Sequence, residues 1–384
     1  MNKLLHVLIL IVILISCQKS EKPLTDNTQP ITIDVAASID KAKPTKKFSD
    51  IFDITSIIPL QSSERSFIAT LSKVIFIDNK VVVLDKKYTS VKVFDKNGSF
   101  IRDIVKIGQG PGEFTKVYDM DYSKDDNSIS IYSNDDMKLG YFKLDGTLIS
   151  EKRTPFYSYY FTKISKDSLL FYVNYNSSEY NDENNLLLTD ANFSILNKFF
   201  PYKRNYVVSS SGSLVKSGGG IYYNDAYLGD IYQFKDNAFK LLYKVNLGKN
   251  EIPIERTQTF SSAGKNILDY DNFEKISAKV KDCLIFSFNH DRRSKIGIYY
   301  DNKKQIYISN DFEKNDVYHI ISPPKNKEDD DSTFYTVISP VTLGYIKDNA
   351  NFFEDLKENY PVLFPYLKNL KDTDNPIILC FKRK

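Results

Sequence analysis

The glycines at positions 108, 110 and 112 have the spacing that most suggests chemistry, in the run Ile107-Gly108-Gln109-Gly110-Pro111-Gly112-Glu113-Phe114. Glycine-rich loops can turn backbone N–H groups towards a phosphate. A dinucleotide-binding fingerprint, however, needs its third glycine three residues after the second, at the start of a helix. Here Pro111 lacks an N–H, and the strand-like KVYDMDY follows. We therefore predict a tight connector between two strand units, with Phe114 packed between them.

Metal-binding and nucleophilic patterns are weak elsewhere in the chain. His290 and His319 are the only histidines after residue 17, and neither has the paired Cys or His spacing that zinc needs. Glu328-Asp329-Asp330-Asp331 lacks the spacing of a calcium-binding loop and is predicted to be a solvated acidic segment. No G-x-S-x-G nucleophile elbow occurs. We predict no catalytic residue, no metal site and no cofactor, with calcium as the open alternative.

The composition is that of a globular protein that can bury a core. Of its 384 residues, 42% are hydrophobic and 26% are charged, and the formal net charge is +3. So small a net charge provides no field that would attract nucleic acid. Tyr and Phe, which favour pleated sheets, number 27 and 26. The chain is therefore expected to be rich in β-structure and to have no nucleic-acid partner.

The N-terminus has the features of an export signal. Lys3 precedes an apolar run over residues 4–15, which is too short to cross a bilayer core of about 30 Å as a helix. Cys17 follows Ser16 and resembles the acceptor of a bacterial lipoprotein signal. That resemblance implies a lipoprotein signal peptide over residues 1–16, cleavage before Cys17 and acylation of this cysteine with chains such as palmitate. The alternative is an ordinary export signal in which the cysteine is incidental.

Acylation of Cys17 would make a membrane one partner of the protein, because several acyl chains anchor a protein better than one. Residues 17–30 contain few apolar side chains and are predicted to form a flexible tether. By analogy with other lipoproteins, the absence of Asp beside Cys17 favours the outer membrane. The predicted location is therefore the cell envelope, with the leaflet left open.

A four-strand unit begins near residue 72 and recurs along the chain. Its strands are predicted at KVIFI, KVVVLD, VKVFD and SFIRDI, with Asn97-Gly98 as a type I′ turn. A second copy aligns without a gap at an offset of 48 residues, with Asp145-Gly146 at the same turn. Three weaker copies are recognised by the matching stretches at residues 187–196, 231–243 and 296–308. Repeats of this length must be recognised before any division into domains.

These repeats predict an all-β fold, a six-bladed β-propeller of four-stranded antiparallel blades over residues 31–384. Five copies leave ITIDV and FDITSIIPL at the front, and TFYTVIS and NPIILCFK at the back. A sixth blade built from both termini would close the ring and protect edge strands. A short helical insertion is predicted at about 348–370, with Asp348 or Asn349 as its N-cap. A β-sandwich is the alternative, although sandwiches lack such a repeat.

Several stretches together resemble the six-bladed β-propeller lipoproteins of Gram-negative bacteria, which are related to NHL-like propellers. The resemblance implies an extracytoplasmic propeller and supplies no catalytic residues. It covers nearly the whole chain and is carried by the lipoprotein signal, Phe52-Asp53-Ile54, Ile58-Pro59-Leu60, Val91, Phe94-Asp95, Asn97-Gly98, the run Ile107 to Phe114, and Asp374-Asn375-Pro376.

One face of the propeller is predicted to bind a polar ligand. In an up-and-down blade, the loop between the second and third strands lies at the same end as the connector to the next blade. Solvated loop tips without a binding role are the alternative. The candidate ligand residues at this end are Lys86, Lys87, Tyr88, Glu113, Asn134, Asp135, Asp136, Tyr227, His290, Arg292 and Arg293.

Three functions fit this pattern. The favoured one is a membrane-anchored binding module for a glycan, a peptide or a partner protein of the envelope. The second is a calcium-dependent lactonase or esterase of the six-bladed kind, which would need carboxylates and amides converging in the central channel. The third is a structural component of an envelope complex.

Cys283 and Cys380 each lie in an apolar, strand-like run. Unpaired cysteines in such runs usually behave as small buried hydrophobes, and this is the prediction for both. In an exported protein a disulfide between them is the alternative.

Overall fold

A computed structural model describes residues 29–39, 45–202, 212–252, 269–308, 311–327, 332–344 and 349–384, and all structural statements concern these residues. The predicted signal peptide, the lipid acceptor Cys17 and the acidic segment 328–331 lie outside them. None of the helices in the described ranges has the length and apolar character that a bilayer crossing requires.

Six antiparallel sheets form a ring, which confirms the predicted six-bladed β-propeller. Two strands, Ile31–Asp34 (β1) and Phe52–Pro59 (β2), precede the first complete sheet. The strands of each sheet are given with the innermost first. Sheet 1 consists of Leu71–Ile77 (β3), Lys80–Asp85 (β4), Ser90–Asp95 (β5) and Phe100–Asp103 (β6), and sheet 2 of Asp119–Ser123 (β9), Ser128–Ser133 (β10), Lys138–Phe142 (β11) and Leu148–Arg153 (β12). Sheet 3 consists of Tyr160–Ser165 (β13), Ser168–Tyr172 (β14), Asn184–Asp190 (β15) and Ile195–Pro201 (β16).

The other three sheets continue the ring. Between sheets 1 and 2, Lys106–Ile107 (β7) and Glu113–Phe114 (β8) form a short parallel pair. In the same order, sheet 4 consists of Ser213–Ser217 (β17), Gly220–Asn224 (β18), Asp230–Lys235 (β19) and Ala238–Asn246 (β20). Sheet 5 consists of Asn272–Val280 (β21), Cys283–His290 (β22), Arg293–Tyr300 (β23) and Gln305–Ile308 (β24). Sheet 6 consists of Lys325–Asn326 (β25), Thr333–Ile338 (β26), Ile377–Arg383 (β27) and β2.

Sheet 6 closes the ring with strands from both ends of the chain, as predicted. β2 is its outermost strand and pairs antiparallel with β27 over Phe52↔Arg383 to Pro59↔Ile377. β27 in turn pairs with β26. The β2–β27 pairing satisfies backbone groups of both strands that an open array would leave exposed at an edge.

The assignment of ITIDV to the closing sheet is wrong. β1 instead pairs in parallel with β20, as a fifth strand on the outer edge of sheet 4. Ile33 and Val35 are 1% and 0% exposed there and join the core between sheets 4 and 5. Alternation of apolar residues identified the strand but does not specify which edge it covers.

The predicted turn type at Asn97-Gly98 is also wrong. A type I′ turn gives positive φ to both residues, but only Gly98 has it, at 88°. The Gly98 N–H donates to the Asp95 carbonyl (3.0 Å), and the Asp95 N–H donates to the Ser99 carbonyl (2.9 Å). This is a type I turn followed by a glycine bulge. Gly146 repeats the pattern, with φ of 85° and an N–H that donates to the Lys143 carbonyl (3.0 Å).

The glycine run is an inter-sheet connector, as predicted. Phe114 is fully buried in the core between sheets 1 and 2. The Gly108 N–H donates to the Phe114 carbonyl (3.2 Å), and the Gly110 N–H donates to Glu113 Oε2 (3.0 Å). The N–H groups of both glycines are thus satisfied within the connector itself.

The predicted helical insertion lies between β26 and β27. Its described residues, 339–344 and 349–376, contain three helices, Pro340–Gly344 (α3), Ala350–Asn359 (α4) and Phe364–Asn369 (α5). Two further helices, Ala36–Ile39 (α1) and Phe48–Ile51 (α2), occur earlier in the chain. Asn349 caps α4, because its Oδ1 accepts the Phe352 N–H (3.2 Å). The insertion packs on a core shared with sheets 5 and 6 through Phe352, Leu356, Leu363 and Leu367.

Cys283 and Cys380 are both free and buried. Burial raises the pKa of both thiols, to about 12 for Cys283. Such thiols are poor nucleophiles at neutral pH, in keeping with the predicted role as core residues.

Candidate ligand-binding channel

A cavity of about 910 Å³ runs through the centre of the ring. Its wall includes residues of all six innermost strands or the turns next to them. It is also lined by Lys86, Tyr227 and Arg292, which follow the second strands of sheets 1, 4 and 5. The cavity therefore reaches the end of the ring that holds the loops between second and third strands, which we call the loop face. These loops are 86–89, 134–137, 173–183, 225–229, 291–292 and 339–376.

Two buried aspartates on β9 join sheet 2 to its neighbours. Asp119 accepts the Phe161 N–H (3.1 Å) and pairs with Lys73 Nζ (3.2 Å). Asp121 accepts the Lys163 N–H (2.8 Å) and lies 3.8 Å from Lys216 Nζ. Because backbone donors of sheet 3 engage both carboxylates, their first role is to hold the inner strands in register.

Positive charge predominates in the described wall of the channel. Six cationic side chains line it, against the three carboxylates Asp119, Asp121 and Glu274. Glu274 accepts a hydrogen bond from the Ser294 hydroxyl (2.7 Å). The formal excess of three charges equals that of the whole chain. The cations are Lys73, Lys86, Lys216, Lys275, Arg292 and Lys325.

Lys86, Lys275 and Lys325 form no ion pair with any described carboxylate. Lys86 Nζ lies 5.2 Å from the centre of the Tyr160 ring, a cation–π distance. Burial lowers the pKa of Lys86; the charge of Asp119 opposes this shift, and the neighbouring lysines 73 and 116 add to it. Burial also lowers the pKa of Lys325 to about 8, helped by the charges of Lys275, Lys73 and Lys86 and opposed by that of Asp119. Lys325 is thus a poorly solvated amine in a group of like charges.

Behind the channel, the loop after β18 holds a second perturbed group. Asp225 Oδ1 accepts hydrogen bonds from the hydroxyls of Tyr175 and Tyr223, the latter at 3.1 Å, and from the Ala226 N–H (2.9 Å). Burial nevertheless raises the pKa of Asp225. Every donor comes from the loops and strands of sheets 3 and 4, so this carboxyl fixes the loop face beside the channel.

The structure brings only three of the predicted ligand residues, Lys86, Tyr227 and Arg292, to the channel wall. Arg292 there pairs with Asp269 (2.6 Å). Tyr227 is buried and has a φ of 66° in the left-handed region, which a β-strand-forming aromatic residue seldom adopts. Lys87, Tyr88 and Arg293 are exposed on the loop face outside the channel lining.

The remaining predicted residues contact other parts of the protein. Asn134 Oδ1 accepts the Ser158 N–H (2.9 Å), and Asp135 Oδ1 accepts the Tyr118 hydroxyl (2.9 Å). Asp136 accepts both the N–H (2.9 Å) and the hydroxyl (2.6 Å) of Thr115. Glu113 folds onto the glycine connector. These polar loop residues therefore stabilise the loops in which they occur.

His290 lies between two carboxylates. Its Nδ1 is 2.9 Å from Asp271 Oδ2, and its Nε2 is 3.3 Å from Asp291 Oδ2. The three side chains are close enough to share a metal ion. Both ring nitrogens already face a carboxylate, and the Asp291 side chain is 82% exposed. The contacts describe a hydrogen-bonded brace between the start of β21 and the end of β22.

The inner-strand cations are absent from the predicted ligand residues, because that prediction rested on loop positions alone. A detectable signal was present: Lys73, Lys216, Lys275 and Lys325 each stand in the first strand of a repeat unit. A central sheet strand would otherwise carry apolar residues on both faces. Charged residues at such positions mark strands that face an aqueous channel.

The fold and this channel define the protein as a six-bladed β-propeller with a cation-lined centre. Residues 30–382 match the family described as Domain of unknown function (DUF4934), and the chain belongs to that family. No curated protein matches it.

Solved structures share the fold. A Bacteroides fragilis protein proposed to be exported superposes with a TM-score of 0.73 at 17% identity, covering 93% of this chain and 100% of the other. A DUF4221 member from Bacteroides vulgatus has a TM-score of 0.54 at 10% identity, covering 87% of this chain and 98% of the other. At such identities the likeness concerns the fold.

Proposed function

We propose that the protein is an extracytoplasmic binding module of the cell envelope, held at a membrane by a lipid on Cys17 and recognising a glycan, a peptide or a partner protein at its loop face. It is an NHL-like propeller lipoprotein of the outer membrane in this proposal. The signal-like residues 1–16, the acceptor Cys17 and the tether over residues 17–30 support it. The similarity in fold to a protein proposed to be exported also supports the location.

The observation that carries the binding role is the channel, because it joins a volume of about 910 Å³ to the loop face. Ligand sites for small organic molecules commonly have volumes of about 300–1,000 Å³ and a few well-placed polar groups. The loop residues Lys86, Tyr227 and Arg292 contribute such groups at the channel wall. A bound ligand would therefore touch both the inner strands and the loops of the loop face.

The chemistry of the channel favours binding over the calcium-dependent hydrolase. Calcium needs six to eight oxygen ligands, preferably carboxylates that are free to turn towards it. Asp119 and Asp121 instead face lysines and backbone N–H groups. An excess of positive charge in the described wall would also repel a divalent cation. We therefore keep the hydrolase and the structural envelope role as secondary alternatives.

The anchoring part of this proposal is tested by the substitution Cys17→Ser. We expect the variant to move from the membrane fraction to the soluble envelope fraction, because its acyl acceptor is lost. Cys380→Ser, at a buried cysteine far along the chain, is the matched control and should stay with the membrane. Unchanged membrane association of the Cys17→Ser protein would rule out the lipid anchor.

The binding part is tested with the domain that starts at residue 29, by thermal melting in the presence of glycan and peptide panels. A ligand at a hundredfold excess over its Kd should stabilise the folded state by about 2.7 kcal/mol. In parallel, the same domain is incubated with calcium and lactone substrates, and both lactone hydrolysis and the melting temperature are measured. Hydrolysis with calcium-dependent stabilisation, and no shift from either panel, would replace the binding role with the hydrolase.

A further inference from the structure

Three lysines of the channel come from different parts of the ring. Lys86 follows the second strand of sheet 1, Lys275 is on the inner strand of sheet 5, and Lys325 is on the inner strand of sheet 6. Sheet 6 lies between the other two in the closed ring, so these side chains converge from adjacent sheets on one side of the cavity. Three chain segments remote in sequence thus deliver positive charge to one wall.

This convergence is not needed to hold the ring together. The described contacts between inner strands use other groups, such as Asp119 with Phe161 N–H and the Ser217 hydroxyl with Lys279 N–H (3.0 Å). Lys275 and Lys325 form neither an ion pair nor a side-chain hydrogen bond with any described residue. Partly buried cations of like sign raise the free energy of the folded state. Such an arrangement is expected where the charges act on a ligand.

We infer that this side of the channel binds an organic anion with two or more carboxylate, sulfate or phosphate groups, held by Lys86, Lys275 and Lys325. The inference rests on the proposed binding function and names its ligand class. A volume of about 910 Å³ exceeds the needs of a single inorganic ion and suits a molecule of disaccharide size. The Tyr160 ring, on the inner strand of sheet 3, receives Lys86 and offers an aromatic face to the same cavity.

Ammonium groups recognise anions as point charges, so carboxylate, sulfate and phosphate ligands share this chemistry. An acidic oligosaccharide and a phosphorylated metabolite are therefore two sources of one ligand class. Isothermal titration calorimetry of the domain that starts at residue 29 distinguishes these two sources. Digalacturonate is the probe for an acidic oligosaccharide, and pyrophosphate is the probe for a phosphorylated metabolite. Maltose, a neutral disaccharide of similar size, is the control ligand. We expect one or both anions to bind at low salt, with an affinity that falls as salt rises.

The lysine assignment is tested with Lys325→Gln, Lys275→Gln and the control Lys166→Gln, whose side chain is 76% exposed in the turn between β13 and β14. Each channel variant should weaken the anion about tenfold, the loss of roughly one charge-assisted contact. Lys166→Gln should leave the affinity unchanged. Lys325→Arg retains the positive charge and should recover much of the binding.

Two further readouts separate a ligand role from a structural one. Lys325→Gln should raise the melting temperature of the ligand-free protein at pH 7, because it removes a poorly solvated charge among lysines. Since the pKa of Lys325 is about 8, anion affinity in the wild type should fall as the pH rises through that value, and this step should disappear in Lys325→Gln. A lowered melting temperature in that variant would instead assign Lys325 to the scaffold.

Equal affinity for maltose and the two anions, or anion binding that the channel variants leave intact, would overturn the inference. Neither result by itself removes the binding function, because a neutral glycan or peptide from the melting panels could still occupy the loop face. Absence of binding in every panel would remove both.

Discussion

At Gly98, even the methyl side chain of alanine would clash with the backbone of a neighbouring strand. It lies in the turn between β5 and β6, and its backbone has a φ of 88°. A Cβ built on Gly98 would come within 2.0 Å of the carbonyl oxygen of Pro59. Pro59 ends β2, the outermost strand of the closing sheet. The absence of a side chain at Gly98 therefore lets sheets 1 and 6 approach where the ring closes.

We expect Gly98→Ala to lower the free energy of unfolding more than Gly219→Ala, measured by denaturant titration of both variants. Gly219 also has a positive φ, 74°, but no atom would lie within 4 Å of its new Cβ. Gly219→Ala should cost about 1–2 kcal/mol through the left-handed backbone alone. Gly98→Ala should add roughly 1–3 kcal/mol for the steric conflict. Equal losses in the two variants would mean that the junction of sheets 1 and 6 relaxes freely.

Single residues also show how far sequence reasoning reached. The burial of Cys283 and Cys380 as unpaired core residues could be predicted from the apolar residues next to them in the sequence. The channel lysines could not be predicted in this way, since each stands isolated in its own strand and gains meaning only when the ring brings the strands together. Asn134 and Asp136 look like ligand residues in sequence, yet satisfying nearby N–H and O–H donors accounts for their contacts.

The turns are the elements that reveal the repeat most clearly in the sequence, but their residues do not specify the turn type. An Asn-Gly or Asp-Gly pair predicts a tight hairpin, and a hairpin forms at both Gly98 and Gly146. The same pair suits a two-residue turn and a type I turn with a bulge, so it leaves the turn type undecided. In sheet 3, Phe193 takes the left-handed position with a φ of 67° and buries its ring against Phe171, 6.0 Å between centres.

Phe193 stands at the turn position that glycine occupies in the first two copies, at Gly98 and Gly146. This difference explains why the third copy of the repeat is hard to recognise in the sequence. The neighbouring Asp190 keeps the turn, because its Oδ1 accepts the N–H groups of Asn192 and Ser194, both at 2.8 Å. A strand such as β1 is ambiguous in another way. Its alternating pattern specifies one buried face but not the edge strand with which it pairs. In the folded ring β1 pairs with β20, where Ile33 and Val35 join the core between sheets 4 and 5.

At the scale of the whole molecule, the ring depends on contacts between the two ends of the chain. The Asn375 N–H donates to the Ser62 hydroxyl (2.8 Å) across 313 positions of sequence. The Asn375 side chain also accepts the Ile68 N–H (2.7 Å) and donates to the Ser66 carbonyl (2.8 Å). Leftover strands at the two ends were enough to predict this closure, because an unclosed array would expose edges.

Truncation tests the closure directly. We expect a chain that stops after Pro376, and so lacks β27, to lose its cooperative thermal unfolding, because β2 and β26 lose their shared partner. A chain that starts at Thr45 loses β1, an added strand on sheet 4, and should unfold cooperatively at a lower temperature. Circular dichroism during heating distinguishes the two. Cooperative melting of the first truncation near the wild-type temperature would show that sheet 6 is dispensable.

The position of β2 also sets an order of events in the making of the protein. Phe52–Pro59 is synthesised long before its partner Ile377–Arg383. Throughout synthesis and any passage across a membrane, this strand remains an open edge that could pair with another nascent chain. Production of the folded protein should therefore depend on chaperones that keep unfolded chains apart. Its yield should fall as the concentration of unfolded chains rises, even when the stability of the folded ring is unchanged.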